Sequence, residues 1–235
     1  MTVYRLTSDI SFPPPELADD DGLLAVGGDL SVERLVLAYS MGIFPWYSGR
    51  SPILWWSPDP RPVIFPPELT LSQTLRKTLQ KGFFRITVNA AFEEVIRNCA
   101  TVPRKGQRGT WITREMVKAY LHLHEAGYAL SVETWQDNEL VGGLYGVILG
   151  QAFFGESMFT KKTDASKAAF ATFAMRLAEK GAKMIDCQVT STHLERFGAR
   201  EISRCEFLTH LQKALRYPNI IHFEKGEEIS AKAPL

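Results

Sequence analysis

The sequence has few cysteines, and they form no recognisable pattern. Cys99, Cys187 and Cys205 are odd in number, lie far apart in the chain and share no metal-ligand or redox spacing. Secreted disulfide scaffolds and zinc sites depend on closely spaced cysteines. We therefore expect reduced thiols, a cytoplasmic protein and no bound metal.

The sequence also lacks a long apolar run. Residues Met1 to Phe12 are polar, and the longest apolar stretch, Leu140 to Gly155, is interrupted by glycines and by Gln151. A signal peptide needs a continuous apolar core, and a membrane-spanning helix needs about 20 apolar residues. We expect a protein that is neither exported nor membrane-spanning.

Three families of cofactor and nucleophile motifs are missing from the sequence. It contains no Walker sequence, no dinucleotide fingerprint and no G-x-S-x-G elbow, and the glycine-rich run from Gly142 to Gly146 lies within a predicted strand. The motifs therefore give no support for ATP, NAD or an acyl-serine intermediate. We expect no cofactor.

Net charge is almost absent, but the charges are segregated along the chain. The 27 Lys and Arg residues and the 26 Asp and Glu residues leave a net charge of +1. Residues 70–114, however, hold nine basic and only two acidic side chains, whereas residues 1–69 hold four basic and nine acidic ones. The basic segment either contacts nucleic-acid phosphates or forms a solvated helix face followed by a basic loop.

Length and composition are those of a globular protein with one large domain or a main domain and a small one. The 235 residues are 45% hydrophobic and 23% charged, with a mean hydropathy of −0.10. A chain of this size buries roughly 70% of its extended surface, which is enough for a substantial core. Residues 1–65 are rich in Pro, Gly and aromatic residues, so we predict a small N-terminal domain there and a larger domain over 66–235.

Hydrophobic periodicity and capping residues predict the secondary structure. A short N-terminal helix is expected from the N-cap Ser31 to about Ser40. In the larger domain the predicted helices are 71–82, 92–99, 113–127, 165–180 with Asp164 as a possible cap, 192–197 and 206–216. The predicted strands are 84–88, 130–135, 140–149, 152–159 and 183–189. This order, with an antiparallel meander, a helix and a further strand, is that of an α+β domain and resembles the acetyltransferase (GNAT) fold.

Three polar residues interrupt the apolar pattern of two predicted strands. Period-two geometry places Asp186 and Gln188 on one face of their strand, and Glu156 on the same face of its strand as Phe154 and Met158. A carboxylate in such an apolar environment is costly unless it is paired. The three side chains either bind a cation and orient an amine together, or Asp186 and Gln188 cap helix ends or pair with the backbone.

Several long and unusual strings resemble those of the leucyl/phenylalanyl-tRNA protein transferase family. They are Gly22 to Leu30, Gly42 to Trp46, Leu54 to Arg61, Gly109 to Thr113, Gly155 to Phe159 and Ile185 to Gln188. The resemblance extends from about Phe12 to Leu215. It implies a bacterial, cytoplasmic enzyme with a small N-terminal α/β domain followed by a GNAT-like C-terminal domain. Nothing in the sequence indicates an oligomer, so we expect a monomer.

The resemblance also implies an activity. Members of the family move Leu, Phe or, less well, Met from aminoacyl-tRNA to proteins that begin with Arg or Lys, which marks those proteins for N-end rule degradation. No cofactor or metal is implied.

The resemblance implies roles for individual residues. Asp186 and Gln188 match a pair that assists attack by the acceptor amine, and Glu156 matches a residue that helps to place the acceptor. The implied donor contacts are Trp46 and Trp111 for the terminal adenosine, and Leu144, Phe153, Met158 and Ile185 for the apolar side chain. With tRNA as the implied partner, we expect the basic segment to contact it, through Arg76, Lys77, Lys81 and Arg85.

Two alternatives to this activity remain open from the residues alone. A coenzyme-A-dependent N-acetyltransferase has the same fold, but the loop from Thr160 to Ser166 has no glycine to approach a pyrophosphate and carries an acid. A non-catalytic RNA-binding module would use the basic segment and the tryptophans, but it would not need Glu156, Asp186 and Gln188 within an apolar sheet.

Overall fold

A computed structural model describes residues 3–49, 51–103, 111–216 and 221–230 of the protein. The N-terminal part contains β1 (Tyr4–Leu6), β2 (Leu23–Gly27), α1 (Val32–Ser40), β3 (Phe44–Pro45) and β4 (Leu54–Trp56). Its four strands form a sheet in the order β1-β2-β4-β3, in which only the β1-β2 pair is parallel.

The boundaries of α1 follow from its end residues. The Ser31 hydroxyl accepts a hydrogen bond from the Arg34 backbone N–H, which confirms the predicted N-cap. Gly42 follows the helix with φ at 72°, and a Cβ atom there would lie 2.6 Å from the ring of Phe207. Glycine is required at this position both by the left-handed backbone and by the close approach of α7 (Arg204–Arg216).

The second part of the chain forms a larger sheet covered by helices. Its remaining helices are α2 (Gln73–Gln80), α3 (Phe92–Thr101), α4 (Arg114–Glu125), α5 (Ala165–Glu179) and α6 (Thr192–Glu195). Its strands are β5 (Arg61–Ile64), β6 (Arg85–Val88), β7 (Ala129–Gln136), β8 (Glu139–Leu149), β9 (Ala152–Thr160), β10 (Met184–Asp186), β11 (Arg200–Ile202) and β12 (Glu227–Ile229). Single 3-10 turns lie at Pro15–Leu17 and Pro66–Glu68.

The eight strands are arranged in the order β11-β5-β10-β9-β8-β7-β6-β12. The strands β6 to β9 form an antiparallel meander, α5 follows, and β10 then pairs with β9 in parallel. The predicted α+β class and GNAT-like order are confirmed. The predicted turn at Asp137-Asn138 is also present, with φ values of 54° and 63° that suit a tight hairpin.

Two layers of helices cover this sheet. The helices α1, α3, α4 and α7 pack with one face in a cluster that also includes the N-terminal sheet, and α2 and α5 pack on the opposite face. The strand β5 pairs with β10 and β11, so it belongs to the larger sheet, although the predicted division at residue 65 assigns it to the first domain. The division between the two sheets therefore falls between Trp56 and Arg61.

Two predicted features of the C-terminal part need correction for local reasons. The strand β10 ends at Asp186 and not at 189, because Gln188 has a left-handed backbone with φ at 61°. Asp164 is the N-cap residue of α5, as predicted, but it does not cap the helix through its side chain, because its backbone is left-handed, with φ at 63°, and not extended. No helix within the described residues combines the length and apolar character needed to cross a bilayer.

Candidate active site

A cavity of about 630 Å³ opens where β9 and β10 separate. The two strands are paired from Met184 opposite Ala152 to Asp186 opposite Phe154. Beyond this point β10 ends, whereas β9 continues to Thr160. The gap between parallel strands thus leaves a space within the range of small-molecule sites, which is about 300–1,000 Å³.

One part of the cavity wall is apolar. The residues proposed to bind the donor side chain, Leu144, Phe153, Met158 and Ile185, all line it from β8, β9 and β10. Phe170 of α5 completes this wall and is not identified by the sequence patterns. The wall is suited to an apolar side chain, because it offers dispersion contacts and few polar groups.

Glu156 lies at an irregular position in β9. The β8-β9 register shifts between Tyr145, which pairs with Ser157, and Gly146, which pairs with Gly155, so Glu156 is one extra residue in β9. Phe154 packs on the α4 face of the sheet and Met158 on the α5 face. The prediction that Phe154, Glu156 and Met158 share one face is therefore wrong, because a bulge reverses the alternation of side chains.

The Glu156 carboxylate is held by three donors. The Tyr39 hydroxyl donates to Oε1 at 2.6 Å, the Tyr120 hydroxyl donates to Oε2 at 2.9 Å, and Gln188 Nε2 donates to Oε1 at 2.6 Å. The two tyrosine oxygens also lie within hydrogen-bond distance of each other, and because each hydroxyl carries one proton, the two tyrosines donate two of these three contacts at any one time. This network joins α1, α4 and the segment after β10 around one carboxylate.

The environment of Glu156 makes this carboxyl group titratable near neutral pH. Burial disfavours the charged form and raises its pKa to about 7, although the hydrogen bonds from Tyr39, Gln188 and Tyr120 act in the opposite direction. The nearby charge of Asp186 contributes to the increase. Glu156 also lines the cavity, so a bound molecule can contact it.

Asp186 is engaged in a buried ion pair. Arg61 Nε and Nη2 donate to its two carboxylate oxygens at 2.8 and 2.7 Å. The Gln188 backbone N–H donates to Asp186 Oδ1 at 2.9 Å, which holds the left-handed backbone of Gln188 in place. The carboxylate of Asp186 thus fixes the main chain of Gln188, and Glu156 fixes its side chain.

The predicted relationship of Asp186 and Gln188 needs correction. They do not alternate along one strand face, because β10 ends at Asp186. The alternative interpretation, that Asp186 pairs with the backbone, describes one of its contacts. Both residues nevertheless line the cavity together with Glu156, and their roles in the reaction remain predictions.

The other predicted contacts lie outside the described lining of the cavity. Trp46 is 42% exposed and lies with its ring centre 5.9 Å from that of Trp56, and Trp111 is half-buried before α4. The predicted tRNA contacts on α2 and the β6 region are exposed: Arg76, Lys77, Lys81 and Arg85. The predicted basic loop at 103–109 falls almost wholly in 104–110, outside the described residues.

Sequence reasoning missed three polar partners in the site. Tyr39 and Tyr120 are almost fully buried, and a buried tyrosine hydroxyl needs a hydrogen-bond partner. The helical periodicity places Tyr120 on an inward face, so this requirement is a usable signal. Arg61 gives a weaker signal, because its partner Asp186 lies 125 residues away in the chain.

In the described part of the chain, no three His, Cys, Asp or Glu side chains come together to hold a metal.

Comparison with known proteins identifies the relatives of the chain. A profile described as "Leucyl/phenylalanyl-tRNA protein transferase" matches residues 63–212, and one for the N-terminal domain of the same proteins matches residues 28–59. Proteins named leucyl/phenylalanyl-tRNA–protein transferase from Syntrophobacter fumaroxidans and from Anaeromyxobacter sp. strain Fw109-5 are each 56% identical to the chain. The first alignment covers 100% of both chains and the second 94% of both.

Among solved structures, an aminoglycoside acetyltransferase from an uncultured soil metagenomic sample is similar to this chain with a TM-score of 0.36. It is 13% identical, and the match covers 61% of this chain and 96% of that one.

The GNAT-like fold, the cavity between its parallel strands and the sequence relatives define an aminoacyltransferase. The chain belongs to the leucyl/phenylalanyl-tRNA protein transferase family. It therefore acts on aminoacyl-tRNA and a protein acceptor, which decides against the two alternatives that the residues alone left open.

Proposed function

We propose that the protein transfers Leu, Phe and, less well, Met from aminoacyl-tRNA to the α-amino group of proteins that begin with Arg or Lys. The transfer is a direct aminolysis, carried out by a cytoplasmic monomer, and it marks the acceptor for N-end rule degradation. The observation that carries the proposal is the cavity, in which an apolar wall meets the hydrogen-bonded pair of Glu156 and Gln188.

The apolar wall supports a donor with a linear or aromatic apolar side chain. Leu144, Phe153, Met158, Phe170 and Ile185 would surround that side chain, and a β-branched residue such as Ile or Val would be excluded by shape. A misfit of one methylene is worth about 1–3 kcal/mol, so the discrimination among donors is moderate.

The remaining donor contacts follow from the family resemblance and from the exposure of the side chains. Trp46 and Trp111 hold the terminal adenosine by stacking. The exposed basic side chains of α2 and β6 contact phosphates of the acceptor stem, so they bind most tRNA sequences alike.

Direct aminolysis requires little from the protein, because an aminoacyl ester is already activated. Gln188 contacts the attacking amine through its amide oxygen, since its Nε2 is bound by Glu156. Asp186 acts as a positioning residue that holds the backbone of Gln188. Cys187 also lines the cavity, but burial raises the pKa of its thiol, so it is a poor nucleophile for a covalent intermediate.

The acceptor specificity follows from charge. Glu156 and Asp186 give the site two carboxylates, of which Asp186 is neutralised by Arg61. Glu156 is the carboxylate that lines the cavity without a cationic partner among the described residues. It favours an acceptor whose first residue carries positive charge.

One assay tests the proposed function. Labelled Phe-tRNA and labelled acetyl-CoA are each offered with reporter proteins that begin with Arg, Lys or Ala. We expect label from Phe-tRNA on the Arg and Lys reporters and little on the Ala reporter. Transfer from acetyl-CoA alone would refute the proposal, and transfer from neither donor would favour a non-catalytic RNA-binding role.

A further inference from the structure

The acceptor amine must lose a proton before it can attack the ester. The contacts described above assign no group that receives this proton. An α-amino group has a pKa of about 7.7–8.0, so most of it is an unreactive ammonium near pH 7. Resting on the function proposed above, we propose that Glu156 is the general base and takes this proton on its carboxylate.

Asp186 and Gln188, the other two residues of this polar cluster, are unsuited to this task. Asp186 has no exposed surface, and its oxygens are engaged by the Arg61 guanidinium and by the backbone N–H of Gln188. Protonation of Asp186 would leave the buried charge of Arg61 unpaired, which is costly. Gln188 is an amide, which is a hydrogen-bond partner but not a base near neutral pH.

The geometry brings Glu156 close to the expected position of the amine. Glu156 Oε1 lies 2.6 Å from Gln188 Nε2, and both side chains line the same cavity. An amine that hydrogen-bonds to the amide oxygen of Gln188 therefore lies next to the carboxylate of Glu156. A general base must first lie within hydrogen-bond distance of the proton that it removes, and only then does its pKa matter.

The groups that face Glu156 bring its pKa close to that of the acceptor amine. Tyr39 of α1 and Tyr120 of α4 donate to it, Gln188 donates from the segment after β10, and Asp186 of β10 opposes its ionisation. Together with burial, these contacts bring the pKa of Glu156 to about 7, close to that of the amine. Tyr39 and Tyr120 are thus positioning residues, which hold the carboxylate and keep its pKa from rising further.

The proposed step is balanced in protons and electrons. The ammonium transfers one proton to Glu156, and the freed nitrogen lone pair attacks the ester carbonyl carbon, forming the C–N bond. Collapse of the tetrahedral intermediate breaks the C–O bond to the ribose. The ribose oxygen leaves with the second nitrogen proton, and Glu156 releases its proton to solvent.

Single-turnover kinetics between pH 6 and 9 test this role. Excess enzyme is mixed with Phe-tRNA and a saturating Arg-initiated peptide, and the variants are Glu156→Gln, Tyr39→Phe and the control Tyr128→Phe, which changes a tyrosine on the protein surface. We expect the native rate to rise with an inflection near pH 7. Glu156→Gln should lower the rate at pH 7 by about 10²–10⁴-fold and leave only the inflection of the amine itself, at about pH 7.7–8.0. Tyr39→Phe removes a hydrogen bond that stabilises the Glu156 carboxylate, so it should move the inflection to higher pH. Tyr128→Phe should leave the inflection unchanged.

A second acceptor separates proton transfer from simple attraction of the acceptor cation. A citrulline-initiated peptide keeps the α-amine but lacks the side-chain charge. If Glu156 is the base, Glu156→Gln slows transfer to both peptides. If Glu156→Gln only raises KM for the Arg peptide to that for the citrulline peptide, with an unchanged pH profile, the proposal is overturned. An unshifted inflection in Tyr39→Phe would also contradict it, whether or not Glu156→Gln folds. Absence of any transfer by the native enzyme would instead refute the proposed function itself.

Discussion

The guanidinium of Arg61 in β5 donates two hydrogen bonds, of 2.8 and 2.7 Å, to the carboxylate of Asp186 in β10. The rings of Phe44 and Phe207 lie 4.7 and 4.5 Å from the guanidinium carbon, so the ion pair is enclosed by aromatic residues from β3 and α7. Because Asp186 also holds the backbone of Gln188, this pair connects the N-terminal sheet and α7 to the candidate active site.

The substitution Arg61→Met should strongly destabilise the protein. It leaves the buried carboxylate of Asp186 without its cation, and such a loss costs about 3–5 kcal/mol. The matched control is Arg97→Met, which removes an exposed pair with Glu93 that is worth about 0.5 kcal/mol or less. Urea unfolding of both variants measures the difference, and equal small losses would show that the Arg61–Asp186 pair does not stabilise the fold.

The substitution Glu156→Gln should reveal the unfavourable ionisation of Glu156 in the stability of the protein. The folded-state pKa of about 7 lies above the reference value of 4.5, so the stability that Glu156 contributes is fully present below pH 4.5 and is lost as the pH rises through 7. The native protein should therefore lose about 3 kcal/mol relative to the variant between pH 4.5 and 8. Denaturant unfolding at a series of pH values gives this difference. A difference that does not change with pH would mean that Glu156 titrates normally.

The apolar wall should determine the preference among donors. The substitution Phe170→Ala removes a large side chain from this wall and should weaken the use of Phe and Leu by about 10–200-fold in kcat/KM. Competition between Phe-tRNA, Leu-tRNA and Ile-tRNA measures the change, and we expect the rejection of Ile to relax. The control Phe83→Ala changes an exposed phenylalanine outside the described cavity lining and should preserve the preference. An unchanged preference in Phe170→Ala would place the donor side chain elsewhere.

The exposed basic residues should act on tRNA and not on the chemistry. The triple substitution of Arg76, Lys77 and Lys81 by Ala should weaken tRNA binding and reduce its salt dependence by about 0.7–0.9 in slope for each phosphate that the variant no longer binds. Transfer from a minimal aminoacyl-adenosine donor should remain largely intact, because that donor lacks the acceptor stem. Equal losses with both donors would show that the basic segment has a structural role.

The local features of the fold follow from local sequence signals. The N-cap at Ser31 and the turn at Asp137-Asn138 are predictable because their residues decide the backbone conformation at that point. The bulge at Glu156 is not predictable in this way, because it depends on how β9 pairs with β8.

In the candidate site, too, local sequence signals identify the polar residues but not their partners from distant parts of the chain. Glu156, Asp186 and Gln188 are recognisable in the sequence as polar residues in apolar strands, and the structure places them at one cavity. Their partners come from distant parts of the chain: Tyr39 is 117 residues from Glu156. Single-sequence periodicity shows that such a side chain faces inward but not which group it meets. The end of β10 at Asp186 escapes prediction because the backbone of Gln188 is set by a side chain and not by strand propensity.

The most direct test of the central claim is single-turnover transfer by Gln188→Ala, measured together with the affinity for Phe-tRNA. Gln188 contacts the attacking amine in this account, whereas the donor is held by the apolar wall, the tryptophans and the basic residues. We predict a rate of Phe transfer to an Arg-initiated peptide that falls by about 10²-fold or more, with a nearly native Kd for Phe-tRNA. A parallel loss of binding and rate, or a native rate, would contradict the assignment of the reaction to this cavity.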